Sequence, residues 1–476
     1  MKFPNEISEQ NEYITRVRAW NDSYEKERGK RKGAFVLTFG CQQNEADSEK
    51  LRGLAVSMGY VSVPCAEKAD LILVNTCAIR EHAEQKALST IGQYKHLKMK
   101  NPDLLLGVCG CMVTQEHRVN DIKFRYPYVD FVFGTSSLHR LPQLLCEKKD
   151  KERRIYCPEE TEYTVTEGIP IERESSYRAW VSVMYGCNNF CSYCIVPYVR
   201  GRERSRTSGA IYQEVKELVE AGYRDITLLG QNVNSYGKEL EDNCDFADLL
   251  GALAEIDGDY RLNFMTSHPK DATKKLIDVM ASHSRIAKHF HLPIQSGSDR
   301  ILKKMNRHYD TARYMDIVTY MREKMPQIAI TTDIIVGFPG ETEEDFEATL
   351  DILRQVKFDM IYSFIYSPRK GTPAAEMAEQ VPAETQKKRF EKLLAVQNEI
   401  SLEKNLPFVE REVRVLCDGV SKTNAEMYSG RTEEGKIVFF HGEECDKGKF
   451  VIIKIERAEA FALYGEKRKE VKNGNL

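Results

Sequence analysis

The segment YGCNNFCSYCIVP, residues 185–197, places Cys187, Cys191 and Cys194 within eight residues. A structural zinc site is closed by four ligands, and no cysteine or histidine follows this segment at metal-ligand spacing. A 4Fe-4S cluster has four irons, so three thiolates leave one iron open to a small molecule. The C-x3-C-x2-C spacing therefore favours an open iron–sulfur cluster over a structural metal knuckle.

Alternating strand and helix patterns surround this segment. The apolar run YRAWVSVMYGC (177–187) leads into the cysteines, a helical pattern follows at 208–223, and another strand pattern, DITLLGQNVNSYG, occupies 225–237. Similar units end in IAKHFHLPIQSGS (286–298) and IAITTDIIVGFPGE (328–341). Repeated strand–helix units over about 200 residues predict a full or partial barrel of parallel strands, with functional loops at the strand ends.

Three further cysteines end strand patterns in the first part of the chain. Cys41 closes AFVLTFGC, Cys77 closes ADLILVNTC and Cys111 closes DLLLGVCGC. The alternation with helices predicts a doubly wound parallel sheet, whose strand ends meet at one rim. We expect the three thiols to converge there; chance burial of three cysteines is the alternative. Cys109 lies within its apolar run and is predicted to point into packing.

These patterns divide the chain into five parts. The last part alternates apolar residues with glycine-bearing turns, as in a small antiparallel β-barrel. The polar start is expected to be mobile or loosely packed. The predicted parts are a polar extension (1–32), the parallel-sheet domain (33–147), a charged linker (148–176), the central barrel domain (177–406) and the β-barrel (407–470).

Composition limits the class of protein. The chain has 476 residues and a formal net charge of -3, so a nucleic-acid site must be a local patch. No secretory signal and no run of about 18 apolar residues is present, which predicts a cytoplasmic protein without a membrane span. The 13 cysteines then belong to a reducing compartment, where clusters favour metal ligation over disulfides.

The segment around Cys187 and the repeats after it resemble the radical S-adenosylmethionine enzymes. In that family the three cysteines hold a 4Fe-4S cluster, S-adenosylmethionine chelates the open iron, and electron transfer yields a 5′-deoxyadenosyl radical. The resemblance also implies that an aromatic residue before the last cysteine, here Tyr193, packs near the adenine. A loop anchor is the alternative role for Tyr193.

Upstream, TFGCQQNEADSE (38–49), VNTCAIREHAEQKA (74–87) and GCM (110–112) resemble the methylthiotransferases within that family. The final β-barrel resembles a TRAM domain. The resemblance implies two 4Fe-4S clusters with three cysteine ligands each, Cys187, Cys191 and Cys194 for one and Cys41, Cys77 and Cys111 for the other. It also implies an electron donor, a sulfur source and a monomeric enzyme as further expectations.

The motifs YVRGRERSR (198–206), HLPIQSGSDRILKKMNRHY (291–309) and TTDIIVGFPGETEEDF (331–346) resemble the branch that acts on isopentenyladenosine at position 37 of tRNA. That resemblance implies conversion to 2-methylthio-isopentenyladenosine. Relatives acting on threonylcarbamoyladenosine of tRNA or on a ribosomal-protein aspartate are the alternatives. A non-catalytic iron–sulfur RNA-binding protein is the remaining one, and it leaves the missing fourth ligands unexplained.

Two further groups of residues are candidate contacts. Residues at strand ends are candidates for S-adenosylmethionine binding, with turn formation as the alternative: Gly230, Gln231, Asn232, Gln295 and Ser296. Basic residues near the cluster loop and in a second patch are candidates for phosphates of the anticodon loop, with paired surface charges as the alternative: Arg200, Arg202, Arg204, Arg206, Lys303 and Lys304.

Overall fold

The computed structural model describes residues 5–79, 81–157, 165–422 and 424–468. Contacts divide the chain into two compact units. The first comprises 1–175, 182–188 and 194–210, and the second comprises 176–181, 189–193 and 211–476. In the described part of the chain, no helix is long and apolar enough to span a bilayer.

The strands are given in chain order. They are β1 (Gly33–Thr38), β2 (Val61–Ser62), β3 (Leu71–Thr76), β4 (Leu105–Gly110), β5 (Phe131–Phe133), β6 (Ile155–Cys157), β7 (Arg178–Ser182), β8 (Met184–Tyr185), β9 (Arg204–Ser205), β10 (Asp225–Leu229), β11 (Arg261–Phe264), β12 (His289–His291), β13 (Ala329–Val336), β14 (Met360–Ile365), β15 (Glu412–Val420), β16 (Tyr428–Arg431), β17 (Ile437–Phe440), β18 (Phe450–Ala458) and β19 (Leu463–Lys467).

The α-helices follow the same order. They are α1 (Asn5–Arg28), α2 (Gln42–Ser57), α3 (Glu81–Gln93), α4 (Lys95–Lys100), α5 (Glu116–Arg125), α6 (Leu141–Lys151), α7 (Val196–Arg200), α8 (Ser208–Glu220), α9 (Phe246–Ala254), α10 (Lys274–Ser282), α11 (Asp299–Lys304), α12 (Thr311–Lys324), α13 (Glu343–Val356) and α14 (Ala383–Asn405).

The first unit is built on a parallel sheet in the order β2-β1-β3-β4-β5-β6. Successive side chains of a strand point to opposite faces, and β3 shows the consequence. Leu71 and Leu73 enter a core shared with α1, α2 and α6, while Ile72 and Val74 enter a second core with α3, α4 and α5. Helices cover both faces, which confirms the predicted doubly wound sheet.

From Asn5 to Arg28 the N-terminal extension forms helix α1, which packs on the sheet domain, so the expectation of loose packing was wrong there. Residues Tyr13, Val17 and Trp20 lie on one face of α1 at helical spacing and pack on the core that contains Leu54. Val17 is 2% exposed. A long polar helix with few apolar residues gives a weak signal in the sequence. These few residues nevertheless suffice to dock α1 on the core.

The sheet also continues beyond the predicted boundary at 147. Helix α6 runs to Lys151, and the short strand β6 pairs in parallel with β5. The charged run that precedes β6 concealed this strand in the sequence. Residues 158–164, in the middle of the predicted linker, lie outside the described residues.

The second unit contains the partial barrel. Its strands form two sheets, β11-β10-β7 and β12-β13-β14, with parallel pairing of β10 with β11 and of β13 with both neighbours. A parallel bridge pairs Leu262 of β11 with Ile286, which precedes β12. Thr342 is the N-cap of helix α13 and forms a capping box with Asp345. The predicted partial barrel is confirmed.

The end of the second unit is a closed barrel in the order β15-β16-β17-β19-β18. Its core contains Val415, Phe440 and Leu463. Most pairs are antiparallel, as predicted, while β17 and β19 pair in parallel. Lys436 of this barrel forms a buried ion pair with Asp359 of the partial barrel at 2.7 Å.

Candidate functional site

The first unit brings Cys41, Cys77 and Cys111 to one rim of its sheet. Cys41 follows β1 and is the N-cap of α2, Cys77 directly follows β3, and Cys111 directly follows β4. These three strands are neighbours and run parallel. The carboxyl ends of parallel strands meet at one edge, so the predicted convergence is present in the fold.

Close packing holds the rim together. A Cβ atom at Gly40 would lie 2.9 Å from Cβ of Cys77, and Gly40 has φ +133°, so this position requires glycine. The amide of Asn44 donates to the carbonyl of Thr76 at 3.1 Å, and its oxygen accepts from the thiol of Cys41 at 3.3 Å. One side chain therefore connects the β1 and β3 loops beside the thiols.

Burial and a buried arginine define the electrostatics of these thiols. Burial raises the pKa of Cys111 to about 12, Arg200 opposes that rise, and the neighbouring Cys77 and Cys41 add to it. The thiol of Cys111 in this state is protonated and inert. A bound metal deprotonates its thiol ligands, so this group of soft donors fits a metal cluster better than it fits a set of free thiols.

Helix α7 places Arg200 at the thiols. Ile195 and Val199 pack with Cys111 and Ala78. The guanidinium of Arg200 then donates to Asp47 at 2.9 Å, and both side chains are buried. A backbone N–H, that of Ile79, donates to Sγ of Cys77 at 3.3 Å. Hydrogen bonds and positive charge beside sulfur are the features with which proteins tune iron–sulfur clusters.

Cys109 takes the place that the sequence predicts for it. It is fully buried within β4 and belongs to the apolar core rather than to the rim.

All the cysteines are free thiols. Within the described residues, no three His, Cys, Asp or Glu side chains are arranged for a single metal ion.

In the second unit, Cys191 lies against a buried arginine. Arg307 donates from Nη1 to Sγ of Cys191 at 3.3 Å and lies 3.5 Å from Oη of Tyr193. Its Nη2 donates to the carbonyl of Pro293 at 2.7 Å, and its Nε donates to Oη of Tyr309 at 3.0 Å. The sequence suggested no such role, because Arg307 stands in a run of basic residues.

Cys187 and Cys194 belong to the first unit. The backbone N–H of Cys187 donates to the carbonyl of Gly201 at 3.1 Å. Gly186 has φ +76°, and a Cβ atom there would lie 2.0 Å from the carbonyl oxygen of Arg202, so a side chain at this position is excluded. The loop backbone is thereby held against the segment that follows α7.

The strand-end candidates for S-adenosylmethionine have different surroundings. The amide of Asn232 donates to Asp271 at 2.8 Å. Gln295 has φ +72°, and its backbone pairs with β13. Ser296 is buried against Thr349, with 3.4 Å between the hydroxyl oxygens. Ser296 is therefore positioned for packing rather than for a ligand. Gly230 and Gln231 directly follow β10, as predicted.

Buried polar atoms without partners gather after β10 and β11. Within the described part of the chain, these atoms have no hydrogen-bond partner: Asn232 Oδ1, Asn234 Oδ1 and Nδ2, Ser267 Oγ and His268 Nε2. Leaving such groups unpaired costs about 1–3 kcal/mol each. Their position at the carboxyl ends of strands, together with this chemistry, fits a polar ligand such as the amino, carboxylate or ribose groups of S-adenosylmethionine.

His268 is a candidate that the sequence did not reveal. Burial lowers its pKa strongly, and the charge of Arg307 lowers it further. Its Nδ1 accepts from the backbone N–H of Lys270 at 3.2 Å, which leaves the proton of the neutral ring on Nε2. Its ring also meets Tyr309 edge to face. The sequence offers no partner for this histidine, because the fold alone brings these residues together.

The basic residues predicted to contact RNA separate into two groups. Arg200 and Arg206 are buried, and Arg206 is paired with Glu167, so the expectation of phosphate contacts does not fit these two. Arg202 and Lys303 are exposed. Arg204 is half-buried and donates to the carbonyl of Arg202 at 3.0 Å, and half-buried Lys304 pairs with Glu379 at 2.5 Å.

Comparison with known proteins agrees with this architecture. The model of the Radical SAM superfamily matches residues 181–353, that of the uncharacterized protein family UPF0004 matches 33–134, and that of the TRAM domain matches 408–467. A solved radical S-adenosylmethionine methyltransferase, TsrM from Kitasatospora setae, has a TM-score of 0.54 at 14% identity, covering 72% of this chain and 77% of that one. At this identity the likeness concerns the fold alone.

Relatives at higher identity span nearly the whole chain. A tRNA-2-methylthio-N(6)-dimethylallyladenosine synthase of Clostridium botulinum (strain Loch Maree / Type A3) is 50% identical over 432 residues, which are 91% of this chain and 96% of the relative. The protein of that name from Alkaliphilus oremlandii is 48% identical over 463 residues, 97% of each chain. The chain therefore belongs to the tRNA-2-methylthio-N(6)-dimethylallyladenosine synthase family.

Proposed function

We propose that the protein converts isopentenyladenosine at position 37 of tRNA to 2-methylthio-isopentenyladenosine. The observation that carries the proposal is the convergence of Cys41, Cys77 and Cys111 on three neighbouring strand ends, separate in the chain from the Cys187–Cys194 loop. Insertion of a methylthio group needs a carrier of sulfur and a source of radicals. Two sets of three cysteines supply one site for each task.

The cysteines are the proposed ligands of two 4Fe-4S clusters, each with an open iron. Cys41, Cys77 and Cys111 hold the sulfur-carrying cluster, and Cys187, Cys191 and Cys194 hold the cluster that binds S-adenosylmethionine. When reduced, a cluster held by Cys187, Cys191 and Cys194 would supply the electron that generates a radical from S-adenosylmethionine, and radical chemistry would allow substitution at an aromatic C–H bond of adenine. That bond is too weakly acidic for proton abstraction by a side chain.

The protein's own residues would bind S-adenosylmethionine and hold it in one orientation. Arg307 fixes the Cys191 side of the loop through its bonds to Sγ and to the carbonyl of Pro293. His268 stays neutral and offers Nε2–H as a donor beside Arg307, while Asn232 and Ser267 offer unpaired polar atoms. These groups would fix the amino, carboxylate and hydroxyl groups of S-adenosylmethionine, with Tyr193 contacting the adenine.

The RNA partner is proposed to be the anticodon loop. A base in that loop is unpaired, so moving it into an active site requires little unstacking energy. Arg202, Arg204, Lys303 and Lys304 are the candidate phosphate contacts, and the TRAM-type barrel is a second RNA-binding element. The enzyme is proposed to act as a monomer in the cytoplasm, with a separate electron donor and a separate sulfur source.

An anaerobic assay tests the proposal. Protein reconstituted with iron and sulfide is given dithionite, S-adenosylmethionine and tRNA that carries isopentenyladenosine, and the digested nucleosides are analysed by mass spectrometry. The expected result is 2-methylthio-isopentenyladenosine together with 5′-deoxyadenosine, both absent in Cys191→Ala. Formation of 5′-deoxyadenosine without that nucleoside, on RNA shown to carry isopentenyladenosine, would contradict the assigned substrate.

A further inference from the structure

A small cavity in the first unit is lined in part by Arg200, whose charge acts on Cys111 and Cys41. Its volume is about 40 Å³, and the charged and polar residues that line it include Asp47, Lys50, Ser136, His139, Arg200 and Arg204. One water needs about 10–15 Å³ of such volume. This volume therefore holds about three water-sized species, which is far less than a nucleoside or S-adenosylmethionine occupies.

The charges of the lining favour an anion. Lys50, Arg200 and Arg204 face the single carboxylate of Asp47. Burial works against the charge of Lys50, but its contacts with Tyr185 and Asp47 prevail and raise its pKa, so its ammonium group stays protonated. The ammonium lies 2.5 Å from the hydroxyl of Tyr185. The excess of positive charge in a confined space attracts a small negative ion.

Two donors in the lining lack partners. Nε of Arg200 and Oγ of Ser136 are buried and make no hydrogen bond to any residue that the structure describes. Arg200 is 4% exposed, and Nη2 of its guanidinium donates to Asp47 at 2.9 Å. Unpaired buried donors are costly, whereas hydrogen bonds from them to a charged acceptor contribute about 1.5–3 kcal/mol each.

Arg200 connects the cavity to the cysteines. Its charge acts on Cys111 and Cys41, and α7 packs directly on Cys111. An anion that bonds to Arg200 in the cavity would therefore lie next to the rim where the proposed function requires sulfur. Hydrosulfide is a small anion with a single heavy atom, so it satisfies both the size limit and the charge of the lining.

We propose that this cavity binds hydrosulfide and presents it to the Cys41–Cys77–Cys111 rim. The identity of the anion rests on the proposed function. The size and the charge of the anion rest on the cavity alone. Ser136 and Arg200 donate hydrogen bonds to the anion, and Lys50 balances its charge. The proposal concerns binding, without a change of oxidation state.

The first test is crystallographic and needs no turnover. Anaerobic crystals of the full-length, cluster-loaded protein are soaked in sodium hydroselenide, and the anomalous scattering of selenium is measured. A selenium peak in the cavity within hydrogen-bond distance of Arg200 and Ser136 is expected. Selenium at the cysteine rim alone overturns the proposal. Displacement by an equal concentration of bromide identifies an unselective halide site and also overturns it.

The second test measures the hydrosulfide concentration that gives half-maximal methylthiolation. Ser136→Ala removes a hydroxyl that makes no hydrogen bond to the described residues, so the variant should fold, and it is expected to need about tenfold more hydrosulfide. Lys50→Met should act in the same direction, while the control Ser57→Ala, outside the cavity, should match the wild type. Unchanged values in both cavity variants overturn the proposal. If the wild type forms no methylthiolated nucleoside, the proposed function fails. The selenium map still shows whether the cavity binds the anion.

Discussion

Nη1 of Arg307 donates a hydrogen bond to Sγ of Cys191 at 3.3 Å, while Nη2 of the same guanidinium donates to the carbonyl of Pro293 at 2.7 Å. The planar guanidinium is thus held in one orientation, with its charge directed at the thiol. Arg200 has a comparable place beside Cys111. In each unit a buried arginine therefore accompanies a proposed ligand cysteine.

Replacement of Arg307 by methionine should lower the reduction potential of the cluster held by Cys191. The reduced cluster carries more negative charge, and the arginine stabilises that charge. A shift of roughly 60 mV, a tenfold change in a one-electron equilibrium, is expected. Potentiometric titration followed by electron paramagnetic resonance measures it. The exposed Arg313→Met serves as control, and an equal potential in both variants would contradict the role of Arg307.

Removal of one cysteine from each set should separate the two activities. Cys111→Ala and Cys191→Ala should each lose about four of about eight irons, since each 4Fe-4S cluster has four. Cys111→Ala should still cleave S-adenosylmethionine to 5′-deoxyadenosine, whereas Cys191→Ala should not. Iron analysis and nucleoside mass spectrometry measure both effects. The exposed Cys445→Ala should keep all its iron, and full iron in Cys111→Ala would exclude the second cluster.

Truncation of Val17 should destabilise the first unit. The side chain is buried where α1 packs on the sheet domain, and Val17→Ala should lower the free energy of unfolding by about 2 kcal/mol through lost apolar burial and a residual cavity. Urea denaturation monitored by circular dichroism measures it. Val56→Ala, at a 39% exposed position, should change it by less than about 0.5 kcal/mol. Equal effects would mean that α1 is not docked in solution.

The ion pair between Lys436 and Asp359 should contribute strongly to the second unit. Lys436→Met leaves the buried carboxylate of Asp359 paired with Lys404 at the longer distance of 3.7 Å, and the expected loss of stability is about 3 kcal/mol. The matched variant is Lys454→Met, which breaks an exposed pair with Glu410 and should cost at most about 1 kcal/mol. Thermal and urea unfolding distinguish the two, and similar losses would refute this assignment.

Arg202→Ala should weaken tRNA binding without changing the chemical step. Arg202 is exposed, and loss of one phosphate contact should reduce the slope of log K against log salt by about 1. KM for tRNA should rise while kcat is preserved. The control is Lys388→Ala, which removes an exposed lysine from α14. A salt dependence identical to that of the wild type would remove Arg202 from the RNA interface.

The sequence was sufficient to predict the fold class and the family, and both are confirmed. Strand ends of a parallel sheet meet at one edge, so cysteines placed at the ends of β1, β3 and β4 had to converge. The spacing of Cys187, Cys191 and Cys194 indicated an open iron–sulfur cluster, and the resemblance to radical S-adenosylmethionine enzymes implied the radical chemistry. The assignment of these six cysteines as ligands stays a prediction.

Other features depend on tertiary packing that a linear pattern does not contain. In a basic run such as 200–206, alternate arginines look equivalent, although the fold buries Arg200 and Arg206 and exposes Arg202. The fold brings Arg307, which follows α11, to Cys191, and it brings His268, which follows β11, near the charge of Arg307. Helix α1 was missed because its apolar stripe is narrow, and β6 because it has only three residues.

The closed barrel made of β15 to β19 has a consequence for how it can recognise another molecule. Among the residues that the structure describes, each of its strands pairs on both sides, so its backbone offers no row of free donors and acceptors. A partner cannot extend this sheet by adding a strand. Recognition must rely on side chains of its outer wall and on its loops, which evolution can exchange one at a time while the barrel itself stays unchanged.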